Sequence, residues 1–153
     1  MAIRRMFSIS VVDSDEFLEL PITAQGLYFH LSMRADDDGF LNNPRKILRM
    51  AGASEEDLLL LLERGFLIAF PSGVVAVTHW RVSNAIRKDR YTPTRYQEEL
   101  NKLTLRQSGE YALRTESDEP IVAAPDPWQP PGNQLATTWQ PDGNQLATQY
   151  RLG

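Results

Sequence analysis

The sequence predicts an α+β fold, mainly α, in which a winged helix-turn-helix domain is followed by a disordered low-complexity tail. Three observations predict it. Pro44 to Met50 and Ser54 to Arg64 read as two short helices separated by a few residues including Gly52, which is helix-turn-helix spacing. The apolar stretch from Phe66 to Trp80 is split by Pro71-Ser72-Gly73 and reads as a hairpin, the wing. A basic, aromatic segment follows it, His79 to Tyr96, in the order expected of such a domain.

Taken in chain order, Phe7 to Val12 is β-branched and partly alternating, so a short strand is expected. Asp13-Ser14-Asp15 supplies N-caps for a brief turn, Glu16 to Leu20, ended by Pro21. Thr23 is expected to cap a helix to about Ala35, whose buried face carries Leu27, Tyr28, Leu31 and Ala35. Asp36-Asp37-Asp38-Gly39 breaks it as a turn, and Phe40-Leu41 forms a short strand. Pro44 suits the first position of the next helix and Gly52 closes it. Ser54 caps the helix after that, and Glu55, Glu56 and Asp57 suit the positive end of its dipole.

After Trp80, the spacing of Val82, Ala85 and Ile86 predicts a helix to about Asp89, and Tyr96, Leu100 and Leu103 predict another over Pro93 to Arg106. Beyond residue 107 the pattern is lost. The expected division is therefore a domain over 1–107, with C-terminal basic helices, and a disordered acidic tail over 108–153. The tail repeats with a period of 11 residues: Trp128 to Thr137 recurs as Trp139 to Thr148. Two copies rich in Pro, Gly, Asn and Gln cannot stack into a solenoid core, so a linker or a displayed short motif is the reading.

Composition narrows the function classes. Cysteine is absent, which excludes disulfides, thiolate metal sites and a cysteine nucleophile. The start of the chain lacks the apolar region of a signal peptide, and no run approaches the roughly 18 apolar residues that span a bilayer. A soluble, cytoplasmic protein with no membrane partner is expected. The net charge of −4 is unevenly spread: residues 1–107 carry 14 basic and 14 acidic groups, residues 108–153 carry 2 and 6, and residues 81–106 carry 7 and 3. Local charge decides whether a surface attracts phosphate.

Candidate DNA contacts follow from that segregation. Arg81, Asn84, Arg87, Lys88 and Arg90 lie in the basic segment, where each phosphate neutralised steepens the salt dependence of binding by roughly 0.9. The alternative is an exposed amphipathic helix with Trp80 and Ile86 in the core. Arg45, Lys46 and Arg49 are either phosphate contacts or an exposed basic face. The start of the usual recognition helix is acidic here. Glu55, Glu56 and Asp57 are repelled by phosphate and are read as a solvated or partner-binding helix start. Asp36-Asp37-Asp38-Gly39 lacks the alternating spacing of a calcium loop and is read as a turn. No glycine-rich phosphate loop or nucleophile elbow is present. No catalytic residue, metal ligand or cofactor is expected.

Many separate short motifs carry a family resemblance. Phe7-Ser8, Ser14-Asp15, Phe17-Leu18, Leu20-Pro21, Ala24-Gln25, Leu27 to Leu31 and Ala35 to Gly39 fall in the first half. His79-Trp80, Asn84, Ile86 to Tyr91 and Tyr96 to Glu99 fall in the second. Over roughly residues 4–106 the chain resembles the amino-terminal domain of phage replisome organisers, relatives of the DnaD primosome proteins of Firmicutes and their prophages. The resemblance implies a winged helix, DNA as a partner, and a role in initiating phage DNA replication through origin binding or recruitment of a helicase or helicase loader. It implies no enzymatic activity. Many members continue into a second, helical DNA-binding domain, whereas only a tail is read here. Two other readings stay open: an oligomerisation scaffold, a homo-oligomer without direct DNA contact, and a transcriptional repressor on the same fold.

Overall fold

Local capping sets the start of the chain, and it overrides strand propensity. The computed structural model describes residues 4–121. Phe7 to Val12 is not a strand. Ser8 is extended, its Oγ accepts from the N–H of Ser10, and a one-turn helix follows, α1 (Ile9–Val12). The Ser14 hydroxyl donates to the Val11 carbonyl at 2.7 Å and itself accepts from the Phe17 N–H, opening α2 (Asp15–Leu18). The backbone before α1 finds side chains instead of a sheet: Met6 N–H donates to Asn84 Oδ1 and Ser8 N–H to Ser83 Oγ.

The long helix α3 (Ile22–Arg34) buries Leu27, Tyr28 and Leu31, as its periodicity predicts. Its N-cap is Pro21 and not Thr23; the Thr23 hydroxyl donates to Asp57 Oδ1 at 2.9 Å. That bond pins α3 to the later helix that carries Asp57. Tyr28, Phe17, Phe29 and Phe66 meet edge to face around this helix, with ring centroids 5.2 to 6.0 Å apart, the preferred geometry for aromatic pairs.

The strand β1 (Phe40–Leu41) leads into α4 (Pro44–Ala51), then α5 (Glu55–Glu63), then the hairpin of β2 (Leu67–Ala69) and β3 (Val75–Val77). The antiparallel sheet has the order β1-β3-β2, with Phe40 opposite Ala76 and Ile68 opposite Ala76 on the other side. Gly52 ends α4 in the left-handed region. Ser54 and Asp57 form a reciprocal capping box on α5. Asn43, with φ +56°, is the one described residue other than glycine with positive φ, and its side chain does not cap α4.

The C-terminal part departs from expectation. Trp80 ends no strand; it starts α6 (Trp80–Ser83), a single turn, and the chain then runs without regular structure where a helix to Asp89 was predicted. Only α7 (Gln97–Leu100) forms within the predicted helix over Pro93 to Arg106. A second hairpin replaces the rest, β4 (Leu103–Leu105) with β5 (Tyr111–Leu113), crossing the expected boundary at residue 107. Its turn needs Gly109 at φ +95°. Tyr111 is buried and its N–H donates to the Thr78 carbonyl. Residues in this body reach Ile121, which packs partly buried against the core. The paired repeats of Trp128 to Thr148 lie outside the described residues. Among the described residues, no helix is long and apolar enough to cross a membrane. Among the described residues the fold is thus α+β, with more helix than strand and two small sheets.

Candidate nucleic-acid interface

Charged side chains of this fold sort into two settings, one closed and one open. The closed setting is the turn after α3. Asp36 Oδ1 accepts from the N–H groups of Asp38 and Phe40 at 3.0 Å each, and Oδ2 from the Thr94 hydroxyl at 2.6 Å. Burial raises the Asp36 pKa above the usual carboxylate range, while these hydrogen bonds pull it down. Asp37 lies 3.7 Å from the buried Arg5 guanidinium and accepts from the Thr92 N–H. Asp38 takes an ion pair from Arg81 at 3.3 Å, the Tyr91 hydroxyl, and the Thr94 N–H at 2.8 Å.

All three aspartates hold the stretch Tyr91 to Thr94, and Asp37 and Asp38 also face Arg5 and Arg81. Trp80 is buried beside this turn and donates Nε1–H to the Asp37 carbonyl at 2.9 Å, while the Arg5 guanidinium sits 5.3 Å from its ring centroid. Tyr111 completes the group: its hydroxyl donates to the Asp38 carbonyl and accepts from Arg81 Nε. Burial pushes the Tyr91 and Tyr111 hydroxyls well above the ordinary tyrosine value. Gly39 closes the turn at φ +89°, and a Cβ there would come within 2.5 Å of Trp80 Cγ. The turn reading of Asp36 to Gly39 is right in kind, and its role as a hub for distant segments is new.

Burial corrects three of the expected contacts, two of them at or beside this hub. Arg81 is buried and neutralised by Asp38, so it presents no charge to a polyanion. Asn84 is buried as well, accepting from Met6 N–H and donating to the Trp80 carbonyl. Asp57, expected at a partner surface, is buried between Thr23 and the backbone N–H of Ser54. In each case a polar group inside the fold takes a partner because leaving it without one is costly.

The open setting holds the remaining candidates. Arg87, Lys88 and Arg90 are exposed in the irregular strap between α6 and α7, and Arg87 is paired with Asp89 at 3.3 Å. Arg45, Lys46 and Arg49 project from α4 into solvent, with Arg45 held by Glu55 at 2.7 Å. Glu55 and Glu56 are exposed at the start of α5.

The fold also assembles a groove that the sequence reading did not anticipate. Arg34 from the end of α3, Lys46 from α4 and Arg95 from the strap line one opening of about 480 Å³, with Asn42, Asn43 and Tyr96. Among the described residues, no ion pair neutralises Arg34, Lys46, Arg49 or Arg95. Arg34 is positioned by its own helix, donating to the His30 carbonyl at 3.0 Å. The Arg95 guanidinium lies 5.5 Å from the Tyr96 ring centroid, a cation–π arrangement. Arg34 was legible as a cation outside the buried face of its helix. The approach of Arg95 to it depends on Thr92 and Thr94 being tied to the aspartate turn.

Among the described residues, no group of three or more His, Asp or Glu side chains is arranged to hold a metal ion. No family model, no curated protein and no solved structure matches the chain.

Proposed function

We propose that this protein is a non-enzymatic winged-helix protein that binds DNA in the initiation of phage DNA replication, as its resemblance to replisome organisers implies. The order α3-β1-α4-α5-β2-β3, with β1 and β2 flanking β3 in one antiparallel sheet, supports the winged-helix reading. The observation that carries the DNA reading is the convergence of three cations, Arg34, Lys46 and Arg95, on one groove; none has an ion-pair partner among the described residues, and the Asp36 carboxylate that also lines the groove is engaged by protein donors.

The surface differs from the one the basic segment alone implied. The first turn of α5 carries exposed Glu55 and Glu56, so this helix is a poor reader of base edges. The cationic side of α4 and the groove beside it take that place, with Arg87, Lys88 and Arg90 as further phosphate contacts. This is backbone binding, and it is strongly salt-dependent. Recruitment of a helicase or its loader falls to the acidic start of α5. A second reading is supported by the same acids: Glu55 pairs with Arg45 of α4, and a scaffold that associates with copies of itself without touching DNA would use that face. A repressor role differs from both in demanding one tight palindromic site.

Fluorescence anisotropy of a labelled duplex, titrated at several salt concentrations, tests the proposal. Four contacts, from Arg34, Lys46, Arg49 and Arg95, give a log–log slope of about −3.6, and the further contacts of Arg87, Lys88 and Arg90 steepen it to about −6.3. No binding at low salt, together with self-association by light scattering, would replace it with the scaffold reading.

A further inference from the structure

We infer that the groove between α3, α4 and the strap is a nucleotide pocket that accepts one unpaired base of single-stranded DNA; this rests on the DNA reading above and deepens it. Its volume of about 480 Å³ lies within the roughly 300–1,000 Å³ of small-ligand sites. That is more room than a phosphate contact needs. The lining combines the three kinds of group that hold an unpaired nucleotide. Arg34, Lys46 and Arg95 supply positive charge for the phosphate. Tyr96, with the Arg95 guanidinium 5.5 Å from its ring centroid, supplies a flat cationic and aromatic surface, on which bases stack with little regard to sequence. Asn42 and Asn43 supply amides that donate to and accept from a base edge.

Asn43 gives the assignment its second support. It occupies the N-cap position of α4, where an asparagine side chain ordinarily bonds the first turn. Here the backbone is left-handed, φ +56° and ψ +48°, and the side chain makes no cap bond. The conformation lets that amide line the groove. Asp36 also lines it, but both its oxygens accept from protein donors, the Thr94 hydroxyl among them. One engaged carboxylate stands against three cations. A paired base in a duplex keeps its Watson–Crick edge and its faces covered, so it cannot enter the groove and stack beside the ring, and the amides reach at most its groove edge. The amides and the ring add to the affinity for a single strand.

The test compares a labelled thymidine oligomer of about 15 nucleotides with a duplex of the same length, within the range of single-strand site sizes, using the full chain. Asn43→Gly removes the amide and keeps a residue suited to positive φ; Arg95→Ala removes the cation beside the ring. Each is expected to weaken single-strand binding about tenfold, the scale of one lost base contact, and duplex binding less than twofold for Asn43→Gly. Tyr96→Ala should do the same, and Tyr96→Phe should retain binding; because Tyr96 meets Phe40 at 6.5 Å, the Asn43 variant decides if Tyr96→Ala unfolds. A 2-aminopurine in the strand is expected to lose fluorescence on binding, as it stacks. Equal loss on single strand and duplex in Asn43→Gly, or no change in either, overturns the pocket. So does a duplex bound without any single-strand binding, which leaves the DNA reading standing. Failure to bind both forms ends the two together, and tighter binding of the ribose oligomer transfers the pocket to RNA and overturns the assignment to DNA.

Discussion

Two arginine-bearing regions of this molecule teach opposite lessons from the same chemistry. At the aspartate turn, Arg81 has a side chain 10% exposed and lies 3.3 Å from Asp38. At the groove, Arg34, Lys46 and Arg95 are exposed, and among the described residues no carboxylate pairs with them. The first region spends its charge on holding the chain together; the second leaves its charge exposed to solvent. Both Arg81 and Arg95 lie in the basic stretch that follows the hairpin, so a count of positive residues cannot separate them. What separates them is whether a carboxylate from a distant segment reaches them inside the fold.

The largest expected effect comes from breaking the closed region. Asp38→Ala removes the acceptor of Arg81, Tyr91 and the Thr94 N–H at once. Leaving a buried arginine without its carboxylate costs about 3–5 kcal/mol, read as a lower urea midpoint. Arg81→Met costs less, about 2–4 kcal/mol, since it strands the buried Asp38 carboxylate but leaves it the Tyr91 and Thr94 donors, and the arginine stem is replaced by an apolar one. Its DNA salt slope should stay unchanged. A slope reduced by Arg81→Met at intact fold would erase the distinction between the two regions.

Gly39→Ala comes next. The left-handed φ of +89° and the approach of a Cβ to within 2.5 Å of Trp80 combine backbone strain with overpacking, together about 2–4 kcal/mol. Calorimetric unfolding checks it, and a loss under about 1 kcal/mol would mean that Trp80 shifts freely and that the hub is loose. In the open region the changes are small for stability and specific for binding. Arg49→Ala and Lys46→Ala should each alter stability by less than about 0.5 kcal/mol, while each flattens the salt slope by about 0.9.

The smallest expected effect concerns His79, which stands between the two extremes. Its side chain is 21% exposed, and Nε2 lies 3.4 Å from Glu110. Burial lowers its pKa below the ordinary histidine value of about 6.5, and the Glu110 charge opposes that shift. Because the folded value is the lower one, the unfolded chain binds the proton more tightly. Stability is complete above about pH 6.5 and declines as pH falls through the folded value. His79→Gln should flatten urea midpoints measured across that window; an unchanged pH profile would assign the acid sensitivity to other groups.

Much of the local structure was legible. Pro44, Gly52, Ser54 and Gly73 mark the ends of α4 and α5 and the hairpin turn, because caps and turns are satisfied within a few residues of themselves. The apolar period of α3 likewise predicted its buried face. Phe7 to Val12 misled because β-branched residues favour a strand only when a partner strand is present; here Ser8 and Ser14 offer helical caps and side chains of Ser83 and Asn84 take the backbone N–H groups. The predicted helices after Trp80 failed for a related reason. Thr92 and Thr94 give their N–H groups to Asp37 and Asp38, more than 50 positions earlier, which holds that stretch in an irregular path.

The candidate site was half visible. The pattern along the chain marks Arg45, Lys46 and Arg49 as a basic face and carries no sign that Arg34 and Arg95 share a groove with Lys46. Arg81 and Asn84 are of a type that contacts DNA, yet they lie buried. By itself the sequence determined both ends of α4, the start of α5, the hairpin turn and the buried stripe of α3, all of which rest on interactions between near neighbours. Only the tertiary structure decided which charges are cancelled and which meet at the groove, since Arg81 and Asp38 are 43 positions apart. Electrostatic pairing depends on distance and burial in space, and neither is a property of position along the chain.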